Sequence, residues 1–549
     1  MNPLSMRNGL LVALLAAGGC TSPGLRFEVS VPDSLLKEPL TGRVFVIVTD
    51  REPDREPRLT TGGDGTKGVP IFGVNVERLA PGTPAIVDAT TFGFPHVSLD
   101  ELPPGDYRVQ AVVVPYSEFR RSDGHVIWAH DDRWEGQQPF RSEGTYFSDV
   151  TPLSVRPGIR RTVALEAAHV VGPAEIPADT RYVKRVKFRS TLLSAFWGRD
   201  IYLGATVLLP AGYDEQPDRT YPVIHQHGHF SLRPPLGFSE PPTDGSEDRR
   251  SDAAREFHAY WTGGAAPKMI AVSFQHPTPW YDDSYFVNSP NVGPYRDALM
   301  QELIPHLEAN FRMKREPWAR VLTGGSTGGW IALGLQVFEP DAFGGALALC
   351  PDPVDFRDYE LIDIYADTNA YWRDKDGIRT EIPEARDVDG TPWYTVRNTM
   401  YYEHVLGDRH RSGRQWAIWE AAWGPIGPDG YPAPLWDWKT GRIDHAVAER
   451  WRAFDLRHVL ETNWATLGPK LAGKLHIWVG EDDTFFLENA TMRLEQFLES
   501  TTAPYYGGSV TYGARQPHCW GPRGRELVER ADAQVRRMAA GARKSARSR

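Results

Sequence analysis

The sequence predicts an α/β protein in which a mainly parallel sheet, covered by helices on both faces, follows an all-β sandwich. Three observations carry this. Residues 26–170 consist of short β-branched runs broken by Pro, Gly and Asp, with few helical patterns. From about residue 180, strand-like runs alternate with apolar residues at helical spacing, the signature of crossover connections. Within that alternation, "VLTGGSTGGWIALG" (321–334) crowds glycines around Ser326 where a strand should give way to a helix.

The bulk numbers fit a large folded enzyme or binding protein. The chain has 549 residues, 41% hydrophobic and 24% charged, which permits a sizeable core and more than one domain. A net charge of −10 lacks the basic footprint of a nucleic-acid binder. The N-terminus combines Arg7 with "LLVALLAAGGC", a short apolar run ending in small residues. Such a run is too short to span a bilayer, which takes about 20 residues, and it fits an export signal over residues 1–20. "AAGGC" followed by "TSPG" resembles a bacterial lipoprotein box, although Ala17 stands where Leu is commoner. It makes Cys20 a candidate lipid anchor and the only expected membrane contact. The expected location is the periplasm or cell surface; a plain signal with an incidental cysteine would make the protein secreted.

In the N-terminal domain (21–172), "GRVFVIVTD" and "YRVQAVVVPY" read as strands, and "PLSVRPGIRRTVALEA" reads as a closing pair. Nothing there collects catalytic residue types, so carbohydrate binding and simple packing both remain open for it. A Pro-containing linker, "VVGPAEIPADT", leads to the second domain (180–538). Its strands are "VKRVKFRS", "IYLGATVLLP", "YPVIHQHGHF" ending at Gly228, "KMIAVSFQHP", "ARVLTGG", "FGGALALCP", "KLHIWVGED" and "GSVTYG". Helical spacing marks "YRDALMQELIPHLEANF" (Leu299, Leu303, Ile304, Leu307), "TGGWIALGLQVF", "ATMRLEQFLES" and "RELVERADAQVRRMAA". The connection from Cys350 to Leu475 is far beyond the usual few residues, and its Trp-rich part (about 355–468) is expected to form a cap or lid. The basic end, 539–549, is expected to be disordered.

Gly324-Gly325-Ser326-Thr327-Gly328 fits G-x-S-x-G. A strand before it and a helix after it supply the setting of a nucleophile elbow, where small neighbours let a strained turn expose the serine. A serine hydroxyl needs a base, and the base needs an orienting acid. The chain order in such folds is Ser, acid, His. Glu481, Asp482 and Asp483 follow a strand in "WVGEDDTFFL", and His518 sits in "QPHCWGPRG" between the last strand and the last helix. All lie at the strand ends where sites of open α/β sheets collect. Cys350 and Cys519 fall near the same sheet edge and are expected to form a disulfide pinning the histidine loop; two free buried thiols is the alternative.

The runs "DIYLGATVLLPAGYDE", "YPVIHQHGHF", "PYRDALMQELIPHLEANF", "GGSTGGW", "GEDDTFF" and "HCW" together resemble the bacterial putative-esterase family of α/β-hydrolases, which includes esterase D-like and enterochelin esterase-like proteins. The resemblance covers about residues 180–355 and 470–538. It implies an α/β-hydrolase fold and a serine carboxylic ester hydrolase that works without cofactor or metal. It also implies Asp483 as the acid, three residues after Gly480, with Asp482 as the fallback. The "HG" motif implies that the backbone N–H groups of His229 and Thr327 hold the developing oxyanion, and Trp520 stands where the family often has Trp two residues after its His.

Trp280, Tyr281 and Asp282 follow a strand and, with Trp520, are the candidate substrate-binding residues. The expected substrate is a small-molecule or carbohydrate-linked ester, hydroxycinnamoyl esters included. Other readings are an acyltransferase or peptidase of the same fold, or a surface-anchored binding lipoprotein without catalysis. A zinc site is the further alternative, since His225, His227 and His229 alternate along a strand and would share one face.

Overall fold

The computed structural model describes residues 24–547 except 51–54, 62–67 and 243–246; the export signal and Cys20 lie outside the described residues. The apolar runs of the second domain become eight strands: β1 (Val183–Ser190), β2 (Ile201–Leu208), β3 (Val223–His227), β4 (Ile270–Gln275), β5 (Arg320–Gly325), β6 (Gly345–Leu349), β7 (Leu475–Gly480) and β8 (Ser509–Gly513). They form one sheet in the order β1-β2-β4-β3-β5-β6-β7-β8. Strand β2 is antiparallel to both neighbours, and β4 through β8 run parallel. This is the α/β-hydrolase sheet. The central strands are buried on both faces, which is why their sequences are continuously apolar rather than alternating.

Helices cover both faces: α1 (Asp252–Thr262), α2 (Ile304–Asn310), α3 (Thr327–Phe338), α4 (Val396–Leu406), α5 (Gln415–Trp423), α6 (Leu456–Leu471), α7 (Leu487–Ser500) and α8 (Gly524–Arg547). A further α-helical turn and a π turn precede α2. Helix α8 runs through Arg547, so residues 539–547 of the tail expected to be disordered are helical, while 548–549 lie outside the described residues. Its Ala- and Arg-rich sequence favours helix, and i,i+4 pairs such as Arg530–Glu526 support its exposed face. Among the described residues no helix is long and apolar enough to cross a membrane.

The long connection between β6 and β7 folds into α4, α5, α6 and two hairpins (Trp372–Lys375 with Ile378–Glu381, Pro383–Arg386 with Pro392–Thr395). Trp416, Trp419, Trp423, Trp436 and Trp451 join the same apolar core as the sheet strands β2, β3 and β4. Such rings each bury roughly 150–250 Å². The insertion is therefore a roof anchored in the main core rather than a loose flap.

The N-terminal domain packs a seven-stranded sheet on a three-stranded one. Its strand Leu40–Thr49 explains how the domain is used. Val44, Val46 and Val48 face the sandwich core, while Phe45 and Ile47 face outward into a second cluster with Tyr402, Val405 and Leu406 of α4. Arg43 is buried at this seam and donates from Nε to the Val405 carbonyl at 2.9 Å and from Nη2 to the His404 carbonyl at 3.1 Å. Those carbonyls end α4, where a helix leaves its last acceptors unpaired. The sandwich thus holds the roof in place.

Candidate active site

Ser326 sits between β5 and α3 with φ 55°, in a region a non-glycine residue occupies only where its surroundings enforce it. The crowding of glycines follows from this turn. A Cβ on Gly328 would stand 2.0 Å from the His227 carbonyl oxygen, and one on Gly324 would stand 2.5 Å from the Gly328 backbone. Any side chain at either position would push α3 off the sheet.

His518 and Asp483 meet at the ends of β7 and β8. The Asp483 carboxylate is fully buried and accepts from His518 Nδ1, with Nδ1 to Oδ2 at 2.9 Å and to Oδ1 at 3.1 Å. The Phe485 N–H also donates to Asp483 Oδ1 at 2.9 Å, and the Phe485 ring packs edge-on against the imidazole. Of the three acids left open by the sequence, this is the one that touches histidine: Asp482 is half-buried with its backbone N–H on the Gln516 carbonyl, and Glu481 is exposed.

Cys350 and Cys519 are joined in a disulfide. It ties the residue after β6 to the residue after His518, and the Cys350 sulfur also lies 3.2 Å from the Ser326 nitrogen. The bridge spans 169 residues of sequence, a loop long enough that its loss should cost about 2–5 kcal/mol. The Cys350→Ser/Cys519→Ser double variant is accordingly expected to melt lower than the wild type by several degrees in a calorimetric scan and to show a reduced kcat as the histidine loop gains freedom. An unchanged melting temperature would refute a structural role.

One residue here escaped the sequence reading. Asp352, two residues past Cys350, is buried and accepts the Ser326 hydroxyl at 3.0 Å. It also accepts from Thr327 Oγ1 at 3.1 Å, Gln415 Nε2 at 3.3 Å and the Tyr285 hydroxyl. Burial raises its pKa, against the hydrogen bonds from Tyr285 and Ser326. The hydroxyl is thus turned toward Asp352, and no Ser326–His518 hydrogen bond exists in this arrangement. A rotation about the Ser326 Cα–Cβ bond is needed to bring Oγ to the imidazole. The signal available in sequence was a carboxylate just past the strand next to the elbow, in "CPDP".

Thr327 is the first residue of α3, so its N–H has no intrahelical acceptor. His229 follows Gly228 just beyond β3 and lines the cavity, and its Nδ1 pairs with the buried Asp283 at 2.9 Å. Burial lowers the pKa of His229, but the Asp283 hydrogen bond and charge outweigh it and leave the value raised. His225 and His227 are instead buried in β3. His227 stacks on Phe274 with centroids 4.9 Å apart, and burial pushes its pKa down to about 3. The three rings form no common ligand group among the described residues.

Ser326 and His518 open into a cavity of about 420 Å³. Its walls come mostly from the roof: Glu360, Glu384, Tyr394, Tyr402, Glu403, Arg414, Trp416 and Trp419, with Tyr281 from the β4 loop. Tyr281 is therefore where the sequence suggested. Three other expectations need correction. Trp280 is fully buried in the core, its indole N–H on the Asn291 carbonyl, because the loop after β4 alternates and only Tyr281 points to the cleft. Asp282 turns away to accept the Gln137 N–H and lines a neighbouring cavity. Trp520 packs against Gly513 in the cluster under the opposite face of the sheet.

A family model described as "Putative esterase" matches residues 198–503. No curated protein matches the chain. Solved structures similar to it include a ferulic acid esterase, at 15% identity over 65% of this chain and 95% of that one with a TM-score of 0.35. Others are an S-formylglutathione hydrolase from Agrobacterium tumefaciens (13%, 66% and 99%, TM-score 0.35) and Est1E from Butyrivibrio proteoclasticus (11%, 62% and 96%, TM-score 0.30). Nothing about the substrate follows from likeness at that level.

Proposed function

This chain belongs to the "Putative esterase" family and is an ester hydrolase; from that premise we propose that it is an exported serine hydrolase that cleaves a carboxylic ester through an acyl-enzyme. The observation that carries the reading is the convergence of Ser326 and the Asp483–His518 pair on one cavity. Ser326 Oγ, rotated away from Asp352, gives its proton to His518 Nε2 and attacks the ester carbonyl carbon. The oxyanion that forms is held by the N–H groups of Thr327 and His229, each such donor being worth about 3–4 kcal/mol in the transition state. His518 then protonates the departing alcohol. A water molecule, deprotonated by the same imidazole, attacks the acyl-enzyme and frees the carboxylic acid and Ser326. Asp483 holds the ring with Nε2 toward the serine throughout.

Export is supported by the N-terminal run ending at Cys20, and a disulfide beside the site suits an oxidising compartment. We place the lipid anchor at Cys20 on the same grounds. The test of the catalytic reading is covalent labelling by a fluorophosphonate probe, with the adduct mapped by mass spectrometry, beside turnover of a panel of p-nitrophenyl esters. Labelling at Ser326 together with ester turnover is expected; turnover that leaves Ser326 unlabelled and survives the probe would overturn it.

A further inference from the structure

The roof brings an unusual set of groups to the cavity. Glu360 is 2% exposed, lines the cavity, and has its Oε2 buried with no hydrogen-bond partner among the described residues. Its backbone is also held at φ 54°, so the chain keeps this residue in place against a conformational cost. Glu384, 5% exposed, lines the same wall and accepts the Trp416 indole N–H on Oε1 at 3.1 Å. Glu403 is different: its two oxygens are taken by the N–H groups of Trp416 and Ala417 and by Ser412, so it caps α5. Aromatic rings stand around Glu360 and Glu384, with Tyr281, Tyr402, Trp416 and Trp419 in the walls.

A buried carboxylate is stable only when it is paired or when it takes up a proton. Here the nearest charges make matters worse. After burial itself, Glu384, Asp352 and Asp483 all raise the pKa of Glu360 well above the ordinary glutamate value. The basic side chains facing the cavity are engaged elsewhere. Arg414 lines the cavity, where it acts on Tyr402, Tyr281, Glu403 and Asp282, and the imidazoles of His518 and His229 pair with Asp483 and Asp283. A missing positive charge, inside aromatic walls whose ring faces attract cations, defines a ligand group.

We propose that the Glu360–Glu384 wall is a subsite for a primary ammonium group carried by the substrate. This rests on the esterase reading only in placing that ammonium on an ester. Burial and the neighbouring acids favour the protonated form of Glu360. An arriving ammonium replaces that proton, so binding strengthens as pH rises, until the ligand's own amine is deprotonated.

Binding can be measured without turnover. Calorimetry on the wild-type protein with benzylammonium and with benzyl alcohol, its neutral isostere, is expected to favour the amine by at least about tenfold at pH 8. The preference should shrink at pH 5.5, and benzylammonium binding should release a proton to buffer. Glu360→Gln, close in shape, should abolish the preference, and Glu384→Gln should weaken it. Equal affinity for the two ligands in the wild type, or a preference untouched by Glu360→Gln in a protein that melts normally, overturns the proposal. The two readings separate cleanly. Ester turnover at Ser326 without amine preference defeats the subsite alone, whereas amine binding without any ester turnover defeats the catalytic reading alone.

Discussion

Replacing Ser326 with Ala is expected to lower kcat for p-nitrophenyl acetate by about 10⁴–10⁶ while leaving the fold intact, the scale seen when a nucleophile that works as part of a unit is deleted. The reason lies in what the hydroxyl touches. Its hydrogen bond is to Asp352, and that carboxylate keeps Tyr285, Thr327 and Gln415 as donors when the hydroxyl goes. Those three donors all serve Oδ2, so Oδ1 loses its donor, but Asp352 lines the cavity and its other oxygen stays fully bonded, so the melting temperature should move by no more than a few degrees. The turn itself tolerates Ala as well as it tolerates Ser, since both have the Cβ that φ 55° penalises. Activity and stability are therefore predicted to part company. The measurement is kcat beside a thermal melt, with fluorophosphonate labelling as a third readout. A variant that retains more than about a hundredth of wild-type turnover would remove Ser326 from the mechanism.

Much of this architecture was legible in the chain. The central strands of the main sheet announce themselves as apolar runs bounded by turn residues, the edge strands Val183–Ser190 and Ser509–Gly513 are more polar, and helical spacing between the runs implies parallel crossovers. The glycines at 324 and 328 have a cause that can be read in advance, because only a tight elbow would need so many. His518 and Asp483 were reachable from chain order and from the resemblance together. What remained hidden was contact between distant segments. Trp280 and Tyr281 are adjacent in sequence with similar chemistry, and only the packing of Asn291 and Tyr431 sends one ring inward. Glu360, Glu384 and Glu403 come from different elements of an insertion with no repeating pattern, so no motif could have joined them. The N-terminal sandwich was open between binding and packing. Its strand Leu40–Thr49 turns alternate residues into two different cores, and the outward one is covered by α4. Neither face could be assigned before the partner segment was known.

The identity of the orienting acid yields the second large effect. Asp483→Asn is expected to reduce kcat/KM by about 10³–10⁴, whereas Asp482→Asn should stay within about threefold of wild type. The buried carboxylate of Asp483 does two things that an amide does not. It accepts from Nδ1–H and so fixes the tautomer whose Nε2 lone pair faces Ser326, and its charge stabilises the imidazolium formed as the serine proton is taken. An asparagine can offer its N–H₂ to the ring instead, which favours the opposite tautomer and leaves Nε2 protonated and useless as a base. Desolvation sharpens the contrast, because Asp483 is fully buried and its charge is little screened, while Asp482 is half-buried and makes no contact with the imidazole. The two variants differ by one position and by the same single atom exchange, so their comparison controls for surface charge. Equal losses in both would mean that the loop after β7 acts only by its overall charge. A loss confined to Asp482→Asn would mean that the histidine pairs with the other acid during turnover and that the contact to Asp483 belongs to the resting state alone.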